Sequence, residues 1–569
     1  MLDNLSGRQL QSEAECVLTN GNRLGGNNSD EGHLYLEEEN ENIQASIRKA
    51  PKRRRTQKES ISYNWKATEK FNPAENVVGN SSYTPPPPSV SLVGTTPYEK
   101  FLYFFDDEVL DLIVMETNKY AASHQASDFT ITKEDVQIAF GILLYSGYVY
   151  MPGRRMYWST DEDTQHDYIA SSMPRNKFDQ NLQYLHVADN NNLDKNDKMA
   201  KLRPLMIILN RKFCETYMMD QNLDLDESMI EYFGRHGCKQ CIRNKPIRFG
   251  FKAWSLNSPN GYLLQFDIYQ GSGTIAAQEH EEKYGKGGGT LLNLIECLPD
   301  CIKDLPLHFY FDNYFTGLPL ITKLTSMNYG GTGTIRDNRV PKSCTIVGTQ
   351  AMKKSERGAM HSVIDTNNKI SMTRWKDNSV VTVASNIHGS TPKSNVSRWS
   401  SKDKKKVSVP RPNAIAQYNE NMGGTDRMDQ NINMYRVSIR KKKWWWTIFT
   451  WLLDVSLQNA WILHKNEKKD PNNLWSTESM SLLEFRRQIT RTLISKAPQR
   501  TLKGRPQQSR RPVISDIRFD NVGHLIQESD KQAWQCGMET CKSRPKYKCI
   551  KCKVPLCPKC FIRYHERPT

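Results

Sequence analysis

The sequence contains no run of about eighteen apolar residues, so no segment is long and apolar enough to form a membrane-spanning helix. Met1 to Asn20 is polar and lacks the basic-then-apolar layout of a secretion leader. A nucleotide-gripping loop is missing too. Lys286-Gly287-Gly288-Gly289 follows no P-loop spacing and lacks the Gly-Lys-Ser/Thr ending, so ATP is not an expected partner. Apolar residues are scarce, at 37% with a mean hydropathy of −0.68, so the chain carries much polar linker. At 569 residues it is too long for one core, which implies about three or four folded units.

What is abundant is positive charge. Lys and Arg number 79 against 62 Asp and Glu, a net charge of +17. Such a balance biases the choice of partner rather than the fold, and nucleic acid leads because each phosphate contact releases counterions. A merely soluble basic protein would show the same sum. Six of the 13 cysteines fall between Cys536 and Cys560. Clustered cysteines without a secretion signal read as metal ligands rather than disulfides.

Residues 1–95 are rich in Asn, Glu, Ser and Gly and end near Pro85-Pro86-Pro87-Pro88, a composition that predicts disorder. Within them, Arg48-Lys49-Ala50-Pro51-Lys52-Arg53-Arg54-Arg55 suits either a nuclear import signal or a solvated charge run. From Pro97 to about Asp220 the pattern is helical. Phe104, Val109, Ile113 and Val114 recur at helix spacing, with Asp106, Asp107 and Glu108 as first-turn structural acids. Further helices are predicted over Lys133–Tyr145, capped by Thr132, and over Leu202–Met218.

After Leu223 short apolar runs predict strands over Leu223–Asp226, Phe251–Leu256, Tyr262–Tyr269 and Leu307–Phe311, with a turn at Asn260-Gly261 and a helix over Leu291–Leu298. This is an α/β layer with one catalytic face. An inserted antiparallel meander is predicted beyond it, with strands over His361–Ile364, Ile370–Trp375 and Ser379–Ser385. Helical, aromatic-rich sequence resumes over Trp444–Leu463. Arg486 to Arg511 carries basic residues and no acid, and reads as a linker that doubles as a phosphate-tracking arm.

Asp226 and Asp312 each end a strand-like run, and Asp426 opens a predicted helix. Isolated, each is an ordinary structural acid. Together they would hold cations, because a like-charge pair at 4 Å costs about 4 kcal/mol at an effective dielectric of 20. Hard carboxylate oxygens suit Mg²⁺, and two such ions about 3.5–4 Å apart clamp the attacking and leaving oxygens of phosphoryl transfer.

The segments Asp226-Glu227-Ser228-Met229, Tyr232-Phe233-Gly234-Arg235-His236-Gly237, Asn244-Lys245-Pro246, Phe311-Asp312-Asn313, Gly333-Thr334-Ile335-Arg336 and Gly423-Gly424-Thr425-Asp426-Arg427-Met428-Asp429-Gln430 occur in order. Upstream stand Arg154-Arg155-Met156-Tyr157-Trp158 and Leu185-His186-Val187-Ala188-Asp189-Asn190. From about residue 97 onward the chain resembles the piggyBac family of DNA transposases. The resemblance implies an α/β multidomain protein with an RNase H-like catalytic core, an inserted β-rich domain, a flanking helical dimerisation and DNA-binding domain, and a C-terminal cross-brace zinc finger. The implied division is 96–221 helical, 222–337 core, 338–411 insertion, 412–435 core, 436–500 helical, 501–520 basic linker and 521–569 zinc-binding.

The same resemblance implies cut-and-paste transposition through hairpinned ends, integration at TTAA, catalytic Asp226, Asp312 and Asp426, and two Mg²⁺ (or Mn²⁺) ions. Asp429 matches an assisting acid of the family, though a helix-surface acid would look the same. Thr425 stands where the family usually has an apolar β-branched residue, a nearly isosteric change. Terminal inverted repeats, a homodimer and a nuclear location are expected. A domesticated, catalytically silent DNA-binding protein would share this fold.

The tail spaces Cys536, Cys541, Cys549, Cys552, Cys557, Cys560 and His565 as zinc ligands, and His524 completes eight. Eight suffice for two tetrahedral Zn²⁺ sites, which would stabilise a unit too small for its own core. His524 could instead be a capping or surface residue. Expected DNA contacts are Lys245 and Arg336, the run Arg440-Lys441-Lys442-Lys443 before Trp444-Trp445-Trp446, and Lys548 and Lys553 in the finger. Consecutive tryptophans cannot share one helix face, so at least one belongs to the core.

Overall fold

A computed structural model describes residues 61–78, 83–161, 163–164, 166–243, 245–271, 275–467, 480–498, 518–529, 535–538 and 540–566. The basic run at 48–55 lies outside the described residues, as do Asn244 and, within the basic arm, Arg500, Lys503, Arg505, Arg510 and Arg511. No described helix is long and apolar enough to cross a membrane.

One ten-stranded sheet organises the protein. Its strands are β1 (Trp65–Ala67), β2 (Asn222–Glu231), β3 (Gln240–Cys241), β4 (Phe249–Asn257), β5 (Leu263–Ile268), β6 (His308–Phe311), β7 (Gly330–Thr334), β8 (Met360–Asp365), β9 (Ile370–Lys376) and β10 (Val380–Ser385). The central order is β5-β4-β2-β6-β7. β5, β4 and β2 pair antiparallel, whereas β2–β6 and β6–β7 pair parallel. Phe309, Tyr310 and Phe311 are all fully buried, as expected of a parallel strand covered on both faces. Gly333 in β7 makes room for that packing. A Cβ there would lie 2.2 Å from Thr316 Oγ1 and 2.6 Å from the Phe311 ring.

One expectation changes. Asp226 does not end a strand: β2 pairs with β4 from Asp224↔Asn257 through to Glu231↔Gly250, because Met229 and Ile230 stay buried beyond it. The inserted meander is antiparallel, as expected, and it joins the central sheet. β10 pairs with β7 through Val383↔Thr334 to Ser385↔Thr332, so β10, β9 and β8 extend the central sheet and β1 closes its edge. A separate ribbon, β11 (Ser394–Ser400) with β12 (Lys405–Arg411), follows.

The flanking region is helical as expected. Thr132 caps the Lys133–Ser146 helix reciprocally with Asp135. The helix expected around Phe104 to Val114 is two helices, Pro97–Phe104 and Asp107–Ser123. Asp106 caps the second and accepts a bond from Lys212 at 2.6 Å. The Trp445–Glu467 helix is buried from Trp445 to Ile462 except at Thr447 and Trp461. Its Asn459 satisfies both backbone groups of Leu263 on β5, at 3.0 and 2.9 Å. Arg486 belongs to no linker. It lies in the Leu482–Ser495 helix, 2% exposed, paired with buried Asp454 at 2.9 Å.

Candidate active site and metal centres

Strand alternation puts Asp224, Asp226 and Ser228 of β2 on one face. The Gly424–Met434 helix lies across that face. The Asp224 carboxylate accepts the Thr425 amide at 3.1 Å, and the Ser228 hydroxyl donates to Asp429 at 2.5 Å. Asp226 lies between these two fixed points along β2, and Asp426 stands in the first turn of the helix, its charge acting on Asp224, Asp429 and Lys245. Gly423 takes φ 109° to enter the helix. Gly424 allows the close approach, since a Cβ there would sit 2.3 Å from Asp224 Oδ1. The Thr425 hydroxyl donates to Asn257 at 3.0 Å, a bond that an apolar β-branched residue could not make.

Asp312 arrives by register. Leu225 and Phe311 are partners on parallel β2 and β6, so Asp226 and Asp312 follow side by side on strands about 4.8 Å apart. The Tyr314 amide donates to Asp312 at 2.8 Å and fixes its carboxylate. β7 delivers Arg336 to the same edge, where its Nε donates to Asn313 at 2.7 Å and its charge faces Asp312. Arg339 donates to the carbonyls of Asn313 and Tyr314, both at 3.0 Å.

Burial dominates the electrostatics. It pushes Asp226 up to about 8, opposed by Lys245 and reinforced by Glu227 and Asp312. Burial likewise pushes Asp429 and Asp224 up to about 7 and raises Asp312. Burial opposes the Lys245 charge, but Asp226, Glu227, Asp426 and Asp429 outweigh it, and its amine donates to the Glu227 carbonyl at 3.1 Å. These acids therefore ionise together only with added positive charge, which fits hard divalent cations. Among the described residues, the three aspartates do not converge within 4.8 Å as one ligand shell. A two-ion site does not require that, because its ligands spread over both ions and substrate oxygens complete them.

A cleft of about 610 Å³ opens beside Asp429, lined by Phe233, Met434, Arg436, Arg440 and Lys442 among others. Arg440 and Lys442 are exposed there. Lys441 turns inward instead. Its amine donates to the Leu182 carbonyl and burial pushes its pKa down to about 7, so it anchors the segment rather than facing DNA. Lys443 donates to the Gln183 carbonyl at 3.1 Å. Trp445 and Trp446 are core residues, with Trp446 Nε1 donating to the Ile439 carbonyl at 2.8 Å.

In the tail, β13 (Ile526–Glu528) and β14 (Tyr547–Cys549) precede the Pro558–His565 helix. Two ligand sets converge: Cys536, Cys541, Cys557 and Cys560, and His524, Cys549, Cys552 and His565. The Cys pairs alternate between the sets along the chain, as in a cross-brace. Cys557 Sγ lies 4.0 and 3.9 Å from Cys536 and Cys541. In the other set His524 Nδ1 is 3.4 Å from both sulfurs, and His565 Nε2 is 3.5 Å from Cys552. Ligands around a tetrahedral zinc stand about 3.8 Å apart for two sulfurs and about 3.5 Å for sulfur and nitrogen. The remaining histidine nitrogens are fixed, His524 Nε2 by Asp520 at 3.0 Å and His565 Nδ1 by the Phe561 carbonyl at 2.8 Å. Both sets could therefore hold zinc. Lys548 is half-buried in β14, Lys553 is exposed, and Lys551 is bound to Asp520.

Sequence reasoning missed Asp224, Ser228 and Asn257. Their only sequence signal is position: Asp224 and Ser228 flank Asp226 at the strand period of two.

A family model described as transposase IS4 matches residues 96–461. The chain is 37% identical over 572 residues to human PiggyBac transposable element-derived protein 3, covering 99% of this chain and 91% of that one. It is 35% identical over 472 residues to human PiggyBac transposable element-derived protein 2, covering 83% and 76%. Its fold is similar to a cryo-EM structure of a piggyBac transposase synaptic complex with hairpin DNA. The TM-score is 0.57 at 18% identity, covering 81% of this chain and 95% of that one.

Proposed function

The chain belongs to the piggyBac-type transposase family, and on that premise we propose that it is a cut-and-paste DNA transposase that cleaves and joins strands with divalent metal. The observation that carries this reading is the placement of Asp226 beside Asp312 on parallel strands, under the helix that bears Asp426. The strand order β5-β4-β2-β6-β7, three antiparallel then two parallel, supports assigning the core as RNase H-like.

Asp226, Asp312 and Asp426 would hold two Mg²⁺ or Mn²⁺ ions, with Asp429 assisting. When bound, the ions supply the charge that activates the attacking oxygen and stabilises the leaving one. The protein's own share is placement. Asp224 and Ser228 fix the helix, Lys245 balances the acids from within, and Arg336 and Arg339 offer cations to a backbone phosphate at the strand edge. The two ligand sets of the tail would hold two Zn²⁺ ions, which would stabilise a finger that reads the terminal inverted repeats. Two ends must be paired, which calls for a homodimer, and the basic run at 48–55 suits a nuclear location.

The relatives are named as element-derived proteins, which favours a second reading, a catalytically silent DNA-binding protein. Plasmid excision separates the two. A donor bearing the cognate repeats should be rejoined at a single intact TTAA in cells expressing the wild type. Efficient DNA binding without excision would establish the silent reading instead.

A further inference from the structure

The β11–β12 ribbon stands apart from the central sheet. It carries six basic residues, Arg398, Lys402, Lys404, Lys405, Lys406 and Arg411, against one acid, Asp403. Its two faces differ. Val396 and Val407 pack with buried Val409 on Trp375, Val383 and Ile415. The outer face pairs Asn395 with Pro410, Ser397 with Ser408 and Trp399 with Lys406. Trp399 is 59% exposed, and every residue from Ser401 to Lys406 is exposed. No ion pair among the described residues engages Lys402, Lys404 or Lys405, and Asp403 is turned back onto Ser400.

The ribbon is also rigidly rooted. Trp375 Nε1 donates to the Pro410 carbonyl at 2.9 Å, and Arg357 donates to the Trp399 carbonyl at 3.0 Å. Arg398 is bound to Asp377 at 3.0 Å. β12 runs straight into the Asn413–Asn421 helix, which leads to the helix of Asp426. A preformed, predominantly basic face at the end of such a stem has the charge of a groove reader, and the major groove of duplex DNA admits a two-stranded ribbon.

We propose that the β11–β12 ribbon is a sequence-independent duplex-DNA contact, in which Lys402, Lys404 and Lys405 meet backbone phosphates and Trp399 supplies the apolar contact within the groove. Lysines at a tip are point charges that read no base, so the partner is any duplex beside the cut, not the repeat that the zinc unit would recognise. The choice of DNA as the partner rests on the function proposed above. The test reads binding alone, so loss of cleavage and loss of this contact remain separable.

Full-length protein carrying Asp226→Asn, which cannot turn over the probe, is titrated against labelled duplexes with and without a terminal repeat over a range of salt. Changing Lys402, Lys404 and Lys405 to Ala together should weaken both duplexes roughly equally, on the order of tenfold at low salt, and flatten the logarithmic salt slope by about 2 to 3. Arg at the same positions should restore binding. Trp399→Ala should weaken binding without changing the slope. Unchanged affinity and slope in the Ala variant would overturn the proposal. A loss confined to the repeat-bearing duplex, or altered self-association with normal DNA binding, would overturn it as well.

Discussion

The Asp224 carboxylate accepts the backbone amide of Thr425 at 3.1 Å, across 201 residues of chain. It is fully buried, and it ties the first turn of the Asp426 helix to the strand that holds Asp226. Loss of a side-chain cap of this kind costs about 1–2 kcal/mol. Asp224→Ala should lower both the melting temperature and excision, whereas Asp224→Asn keeps an acceptor and should retain most of the stability. Excision and melting at wild-type levels in the Ala variant would remove this positioning role.

Stability should fall as pH rises when divalent metal is withheld from the core. Burial pushes Asp224, Asp226 and Asp429 up to about 7, about 8 and about 7, against about 3.9 in an unfolded chain. Between about pH 4 and pH 8 the folded protein then binds more protons than the unfolded chain, so its stability declines through that window. Thermal melts of zinc-loaded protein should show the decline without Mg²⁺ or Mn²⁺ and a smaller one with either. A melting temperature that rises with pH in the metal-free core would contradict the arrangement.

The tail should bind two zinc ions per chain by elemental analysis. Cys549→Ser and Cys557→Ser should each remove one ion, from different sites, because the two cysteines belong to different ligand sets. Asp520→Ala should weaken zinc at the His524 site alone, by roughly 10- to 100-fold, as removal of an outer-shell partner does. Fewer than two ions in the wild type would rule out the paired arrangement.

Asp454 and Arg486 form a buried ion pair, and Asp454 also accepts the Val437 amide at 3.0 Å. Asp454→Ala leaves a buried guanidinium without its partner and should cost about 3–5 kcal/mol. Denaturant unfolding would show it. A change below about 1 kcal/mol would mean that the pair is a surface-like contact.

Local signals reached part of this structure. Asp312 was legible because a short apolar run ends at it, and the Thr132 cap and the Asn260-Gly261 turn are local chemistry. Asp226 was legible as a residue but not as mid-strand, since pairing with β4 sets where β2 ends. The edge that β10 chooses is equally invisible to alternation, which fixes faces and not neighbours. Lys441 reads like its basic neighbours until the fold brings the Leu182 carbonyl to its amine from 259 residues away. Asp224 and Thr425 show the same limit: each is ordinary until the other is beside it.

The most direct test of the three-aspartate account is strand cleavage of a labelled duplex bearing the cognate terminal repeat, with Mg²⁺ and full-length protein. The wild type should nick the repeat end and convert it to a hairpin. Asp226→Asn, Asp312→Asn and Asp426→Asn should each bind the duplex normally and leave it uncut. Wild-type-like cleavage by any one of the three would contradict the account.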